Sequence, residues 1–401
     1  MAGTSCDGID AACVRIVGEG EAMKVRLVHH RHQPFARSLQ RRLLAVMAPS
    51  ATRTEEIAHL HVELGEAFGL AARRLIGELG RRERPSVIGL SGQTVCHYPR
   101  VRRGRTVTLQ LGSPAHVAAI AGLPVIADFR QSDVAVGGQG APLVPWTDWV
   151  LFRHPKISRA VQNIGGIGNV TWIPAGCGAR QVIAFDTGPG NMVIDGLVVR
   201  ISGGRRCMDR DGRMASRGRV LDSVLVRWMS LPFFRQRPPR TTGREVFGEP
   251  FVARAWRILR AASRAPEDWV ATATALTARS IALAYGMFLP GFVQDRGCRE
   301  SVSECSSSFP VRRRSTEIGP RSSTQIILAG GGSRNCALRR WLERLLPQAS
   351  VRTVDEFGIP AEAKEAVSFA VLAAARLDGT SSNVPRVTGA SVAVPLGAVY
   401  G

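Results

Sequence analysis

Asp186 closes an apolar run over 182–185 and is followed at once by Thr187, Gly188, Pro189, Gly190 and Asn191. A carboxylate at a strand end, set before a loop of small residues, can accept a proton from a bound molecule. A lone aspartate in that place more often caps the helix that follows. Here a proline and two glycines stand between Asp186 and the helix expected over 192–200, so the carboxylate lies in a loop able to approach a ligand. Other glycine loops follow apolar strands: Gly165, Gly166 and Gly168 after 159–164, and Gly330, Gly331, Gly332 and Asn335 after 325–329. A further glycine-bearing turn occupies 3–8, ahead of an expected strand over 9–17. Small residues let backbone amides close on phosphate oxygens, while Thr4, Ser5 and Thr187 add hydroxyl donors. Each loop alone also reads as a plain turn after a buried strand. Together they fit a nucleoside triphosphate, although neither a Walker A nor a dinucleotide GxGxxG pattern is present.

The elements that must position these loops alternate. Apolar residues at helical spacing run from Ile57 to Leu79, and the 87–90 run then reads as a buried strand. A helix at 114–121, a strand at 124–127, further strands at 170–173 and 182–185, and helices at 267–289, 336–346 and 361–377 continue the pattern. Such α/β chains bind ligands at the carboxyl ends of their strands. The stretch 294–324, with Cys298, Cys305, serines 306–308 and Arg312 to Arg314, lacks apolar periodicity and reads as an exposed, poorly ordered insertion.

Composition narrows the partners. The 401 residues, 45% hydrophobic and 21% charged, predict two or three globular domains. Lys+Arg 53 against Asp+Glu 32 gives +21, and all but Lys24, Lys156 and Lys364 of the basic residues are arginines scattered along the chain. The densest run, Arg312 to Arg314, lacks interleaved aromatics, so nucleic-acid binding is not expected as the main function. The 8 cysteines form no CxxC pair, and no secretory signal or apolar run near the ~20 residues of a membrane span appears. A cytoplasmic location is the expectation.

At this level of detail the chain resembles the anhydro-N-acetylmuramic acid kinases. The resemblance rests on the 3–10 stretch, Gly92-Gln93-Thr94, Gln110-Leu111-Gly112, Ala127-Asp128-Phe129-Arg130 and the 137–145 loop. It continues through 163–169, 186–191, Thr242-Gly243-Arg244-Glu245, Leu276-Thr277-Ala278, Gly330 to Gly332 with Asn335, Lys364-Glu365-Ala366 and Val387-Thr388-Gly389-Ala390, so it covers the chain from end to end.

The resemblance implies an α/β fold of two RNase H-like domains, of the actin and hexokinase type, with ATP and a sugar in the cleft between them. The domains would be 1–145 completed by 361–401, and 146–360, the latter carrying the 294–324 insertion. The implied reaction opens the 1,6-anhydro ring of anhydro-N-acetylmuramic acid with water and phosphorylates O6, in peptidoglycan recycling. Asp186 would be the general base. Gly3, Thr4, Ser5, Cys6, Asp7, Gly8, Ile9 and Asp10 would hold the β- and γ-phosphates, with Asp7 near a hydrated Mg²⁺. Gly165, Gly166, Gly188, Gly190, Gly330, Gly331, Gly332 and Asn335 would complete the nucleotide site. Gln93, Arg130, Gln139 and Glu365 would contact the sugar, and a homodimer is implied.

Three features depart from the family pattern: Ser91 stands where histidine is usual, Met208 where an aromatic residue is common, and the 294–324 insertion is not a usual feature. They leave open an impaired or non-catalytic nucleotide-binding relative as the alternative.

Overall fold

The structure, a computed structural model, describes residues 1–3, 6–48, 51–102, 104–292 and 324–401. Thr4, Ser5 and the expected insertion, apart from Thr324, lie outside the described residues. The chain divides into two compact units, the first Met1–Phe152, Gly178–Ile183 and Phe357–Gly401, the second Arg153–Cys177 and Ala184–Glu356.

The first unit opens with β1 (Gly8–Val17) paired antiparallel to β2 (Lys24–Pro34). Helices α1 (Arg37–Met47) and α2 (Thr54–Gly77) follow; Leu60, Leu64, Phe68, Ala71 and Leu75 recur at helical spacing and are buried in the core with Leu39 and Leu43. Next come β3 (Ile88–Gly89), a hairpin of β4 (Gln93–Arg102) and β5 (Arg105–Leu111), α3 (Pro114–Ala121), β6 (Val125–Ala127), α4 (Phe129–Ala135) and α5 (Val144–Phe152).

In the second unit β7 (Ser158–Ile164) and β8 (Ile167–Ile173) form an antiparallel hairpin, and β9 (Ile183–Pro189) runs into α6 (Met192–Ile201). Helices α7 (Asp222–Met229), α8 (Arg244–Phe247), α9 (Glu249–Ala262) and α10 (Pro266–Phe288) precede β10 (Thr324–Ala329), α11 (Cys336–Leu345) and β11 (Ala349–Thr353). The sheet order is β11-β10-β7-β8-β9, with β10 parallel to both β7 and β11. Counted from its first strand, that order is the ribonuclease H-like arrangement. Helix α10 is buried nearly throughout, and its alanines and threonines let it sit close to its neighbours. Its threonines remain satisfied by backbone, Thr272 Oγ1 donating to Asp268 O and Thr274 Oγ1 to Val270 O.

The chain then returns to the first unit with α12 (Lys364–Leu377), α13 (Pro385–Thr388) and β12 (Ala398–Tyr400), which pairs with β6. The strands here fall into the pair β1-β2 and the trio β12-β6-β3, with β3 parallel to β6. Both groups pack on α12. Between them lies a cavity of about 450 Å³ lined by Ile9, Val14, Ile88, Gly89, Ala370 and Ala373. Among the described residues the first unit thus carries a two-stranded and a three-stranded group that are not hydrogen-bonded into one sheet.

Helix α5 sits in the first unit, not the second as the expected boundary at 145 had it: its Asp148 meets Lys364 Nζ of α12 at 2.6 Å, both side chains buried. A second buried carboxylate, Asp133 at the end of α4, holds the C-terminal segment. Its Oδ1 accepts from Asn383 Nδ2 and Thr388 Oγ1, each at 2.8 Å, and its Oδ2 accepts from Gly140 N at 2.8 Å. Asp133→Ala leaves three buried donors without an acceptor and is expected to cost about 3–5 kcal/mol, measured by urea denaturation.

Candidate active site

In the second unit the glycine loops crowd one end of the sheet. Asn191 N donates to Gly165 O at 2.7 Å, and Gly190 N and Met192 N donate to Gly166 O at 2.9 and 3.1 Å. A Cβ on Gly190 would collide with Gly165 O, so only glycine permits this approach. Asn191 Nδ2 donates to Ile164 O at 3.2 Å, and Gly332 sits against Ile164 and Asn191. Gly165, Gly166, Gly188, Gly190, Gly330, Gly331 and Gly332 are therefore gathered at the strand ends, as a phosphate-binding role requires. Asn335, next in this loop, is buried and caps α11, its Oδ1 accepting from Leu338 N at 3.0 Å.

Asp186 lies half-buried on β9. Its Oδ2 accepts from Thr241 Oγ1 and from Thr242 N, both at 2.8 Å, whereas Oδ1 takes no hydrogen bond among the described residues. One oxygen fixes the carboxylate and the other is left for chemistry. Burial pushes its pKa up, and the Thr242 amide, the Thr241 hydroxyl and the Arg240 charge pull against that rise. The residue that holds this geometry is Arg240, which no sequence motif singles out. Its Nε donates to Asp186 O at 2.8 Å and its Nη1 to Gln236 O at 3.1 Å. The guanidinium lies 5.4, 4.9 and 5.1 Å from the ring centroids of Phe185, Phe233 and Phe288. Burial lowers the Arg240 pKa to about 10, with the charge still in place at neutral pH.

One turn into α6, Asp195 is a second perturbed acid. Burial, with the nearby Asp209 charge, raises its pKa to about 7. Asp209 is itself tied down, accepting from Met214 N at 2.9 Å and Ala215 N at 3.0 Å.

In the first unit the 3–10 stretch turns much of itself inward. Cys6 and Ile9 are buried in the core and Gly8 lies inside β1 against Gln33 and Pro34, so this stretch can offer a phosphate its backbone more than those side chains. Asp10 is held by His32 Nδ1 at 2.9 Å and lies 3.6 Å from His30 Nε2. Burial raises its pKa, but the two imidazoles outweigh it and the net shift is downward. Asp7 is exposed, and Gly3 O accepts from Gln93 Nε2 at 3.1 Å. Gln93 is fully buried and gives its amide to Gly3 and Thr94, so it braces the N-terminal loop.

Arg130, on α4, donates from Nη1 to Gly140 O at 2.8 Å and feels the charge of Glu365, which stands exposed in the first turn of α12. Gln139 is fixed through its amide N–H, which donates to Thr388 O at 2.8 Å. Beside Arg130 the structure adds His97 of β4, whose pKa is lowered to about 4 by burial and then by the Arg130 charge. Ser91 borders a cavity of about 320 Å³ shared with His61 and Asp128, and Met208 is exposed. Among the described residues no group of three or more His, Cys, Asp or Glu could hold a metal, and no helix is long and apolar enough to cross a membrane.

The second unit joins a ribonuclease H-like sheet to glycine loops crowded on its strand ends and an aspartate fixed by one oxygen among them, the arrangement that a phosphate-handling protein uses. The sequence pattern of the anhydro-N-acetylmuramic acid kinase family matches residues 1–289 and 310–401. The chain belongs to that family. It is 40% identical to the anhydro-N-acetylmuramic acid kinase of Caldanaerobacter subterraneus subsp. tengcongensis over 404 residues, covering 100% of this chain and 95% of the relative. It is also 40% identical to the enzyme of that name from Gloeobacter violaceus, covering 100% of this chain and 97% of the relative. A ROK hexokinase from Thermus thermophilus aligns at a TM-score of 0.29 and 14% identity over 90% of this chain and 98% of that one, a likeness too slight to bear on function.

Two measurements probe the acids. Thr241→Val removes a hydrogen bond that favours ionised Asp186, so the acidic limb of the kcat/KM profile should move to higher pH; an unmoved limb would detach Thr241 from the base. Asp195 is protonated in folded and unfolded chains alike below its ordinary 3.8, and folding then works against its ionisation as pH rises towards about 7. Asp195→Asn should therefore raise Tm at pH 8 and raise it much less at pH 4.5, in paired thermal melts.

Proposed function

We propose that this protein hydrolyses the 1,6-anhydro bond of anhydro-N-acetylmuramic acid and transfers the γ-phosphoryl group of ATP to the O6 so released, giving N-acetylmuramic acid 6-phosphate and ADP. The observation that carries the reading is the Asp186 carboxylate, fixed through Oδ2 and open at Oδ1, set among glycine loops of the kind phosphates require. Water adds to the anomeric carbon as its proton passes to Asp186 Oδ1, and the C1–O6 bond breaks. O6, released with the electron pair of that bond, attacks the γ-phosphorus and the bond to the β-phosphate oxygen breaks; the proton held on Oδ1 passes to solvent afterwards, so the one deprotonation of water serves both halves. The glycine loops of the second unit take the nucleotide. In the first unit Arg130 pairs with the lactyl carboxylate, and Glu365 and Gln139 contact the sugar.

Mg²⁺ would be held by the phosphates themselves and, through water, by the exposed Asp7 carboxylate, since this ion keeps several of its waters and takes oxygen ligands. When bound it neutralises charge on the phosphates. A cytoplasmic location and a homodimer accord with the family resemblance, and sedimentation would test the latter.

The test is the product made from the anhydro sugar and MgATP in ¹⁸O-labelled water. Mass spectrometry should find a phosphate at O6 and one label at the anomeric position; ATP bound without product would favour a non-catalytic relative. Asp186→Asn should keep ATP binding and lower kcat about 10²–10⁴-fold, and undiminished turnover would remove Asp186 from the base role.

A further inference from the structure

The β4-β5 hairpin carries an irregularity that changes which side chains share a face. Thr94 pairs with Gln110, Cys96 with Leu109 and His97 with Thr108, so β4 holds one residue more than β5 between the first two pairs. In a regular strand Thr94 and His97 would point to opposite sides. The extra residue brings them to one face, with Thr108 and Gln110. The hydrogen bonds follow: Gln110 Nε2 donates to Thr108 Oγ1 at 2.8 Å and to Thr94 Oγ1 at 3.4 Å, and His97 Nδ1 meets Thr108 Oγ1 at 3.1 Å.

Thr108 Oγ1 stands 3.3 Å from Cys96 O and 3.1 Å from His97 Nδ1. With its one hydroxyl proton given to Cys96 O, the oxygen accepts from Gln110 Nε2 and from His97, which puts the imidazole proton on Nδ1. The imidazole is neutral at physiological pH, being buried and close to Arg130. In that tautomer Nε2 is a bare acceptor, and no described residue donates to it. The face is tied to the helix that carries Arg130, because Gln131 Nε2 donates to Thr108 O at 2.8 Å.

Resting on the proposed reaction, we infer that His97 is a specificity-determining residue that accepts, through Nε2, the acetamido N–H of the sugar. In the anhydro sugar the single oxygen O6 bridges C1 and C6 and O3 bears the lactyl group, which leaves the 4-hydroxyl and the acetamido N–H as its neutral donors. A hydroxyl satisfies a donor or an acceptor equally, whereas an N–H is matched only by an acceptor held in one tautomer. The acetamido carbon neighbours the one bearing the lactyl group, so an Arg130 contact to the lactyl carboxylate sets this N–H near His97.

The experiment compares the anhydro sugar with its 2-O-acetyl analogue, in which oxygen replaces the N–H. The wild-type protein should prefer the amide by about 10- to 100-fold in kcat/KM. His97→Phe should lower that preference to within about 3-fold while leaving KM for ATP unchanged, and His97→Gln, whose amide oxygen reaches as far as Nε2, should restore part of it. If the wild type accepts both sugars equally, or His97→Phe keeps the full preference, the inference is wrong. Should His97→Phe fail to fold, the wild-type comparison and His97→Gln still decide. Absence of any turnover of the amide sugar by wild type sinks the proposed reaction, whereas turnover with a preference indifferent to His97 sinks this assignment alone.

Discussion

The part of the second unit around Asp186 depends on one buried cation. Arg240 sits among Phe185, Phe233 and Phe288 and spends its donors on the carbonyls of Asp186 and Gln236 rather than on a carboxylate. A guanidinium is suited to this, since its face rests on rings while its edge donates in fixed directions. Its backbone completes the link, Asp186 N donating to Arg240 O at 3.2 Å, so β9 and the segment before α8 hold each other. Thr241 and Thr242 come next in the chain, and they are the two donors to Asp186 Oδ2. The orientation of the carboxylate thus follows from where Arg240 is packed, and the glycine loops can crowd the strand ends without displacing it.

The first unit solves a similar problem with a buried anion. Asp133 gathers Gly140, Asn383 and Thr388 on one carboxylate, and Thr388 O in turn receives Gln139 N–H. Gly138 packs so tightly on Asp133 that a Cβ there would overlap the carboxylate. The loop that accepts from Arg130 at Gly140 O is fixed in this way to residues near the C-terminus, far away in sequence. On α12, the buried Lys364 meets Asp148 and so sets the first turn, which leaves its neighbour Glu365 facing outward.

Much of this is legible in the sequence where local signals agree with the fold. The apolar strands over 159–164 and 325–329 and the periodic helix from Ile57 onward appear as β7, β10 and α2. Asp186 is legible because a strand end, a proline and glycines coincide. The β4-β5 hairpin is not: Pro99 and the arginines between 100 and 105 hide the alternation, and the bulge breaks it further. Helix α5 escapes notice because it is buried on most sides and shows no polar face. His97 becomes visible only with Thr108 opposite it. Arg240, in the run Arg237-Pro238-Pro239-Arg240, looks like linker, and its bond to Asp186 O crosses more than fifty positions of sequence.

That contrast separates two uses of arginine in one chain. With 32 acidic residues against 53 basic ones, the arginines outnumber the carboxylates they could meet, and pairs such as Arg42 with Glu56 and Arg352 with Glu356 are partly solvent-exposed and contribute little. Such positions are interchangeable, and a high arginine content costs the fold almost nothing there. Arg130 and Arg240 differ in kind: both donate to main-chain carbonyls of loops that carry candidate site residues. A carbonyl acceptor fixes the position of a cation without cancelling its charge. Arg240 thereby orients the Asp186 carboxylate while still lowering the cost of its ionisation, and Arg130 remains able to meet a carboxylate from outside the chain. Composition says nothing about which arginines these are; the partner of each guanidinium does.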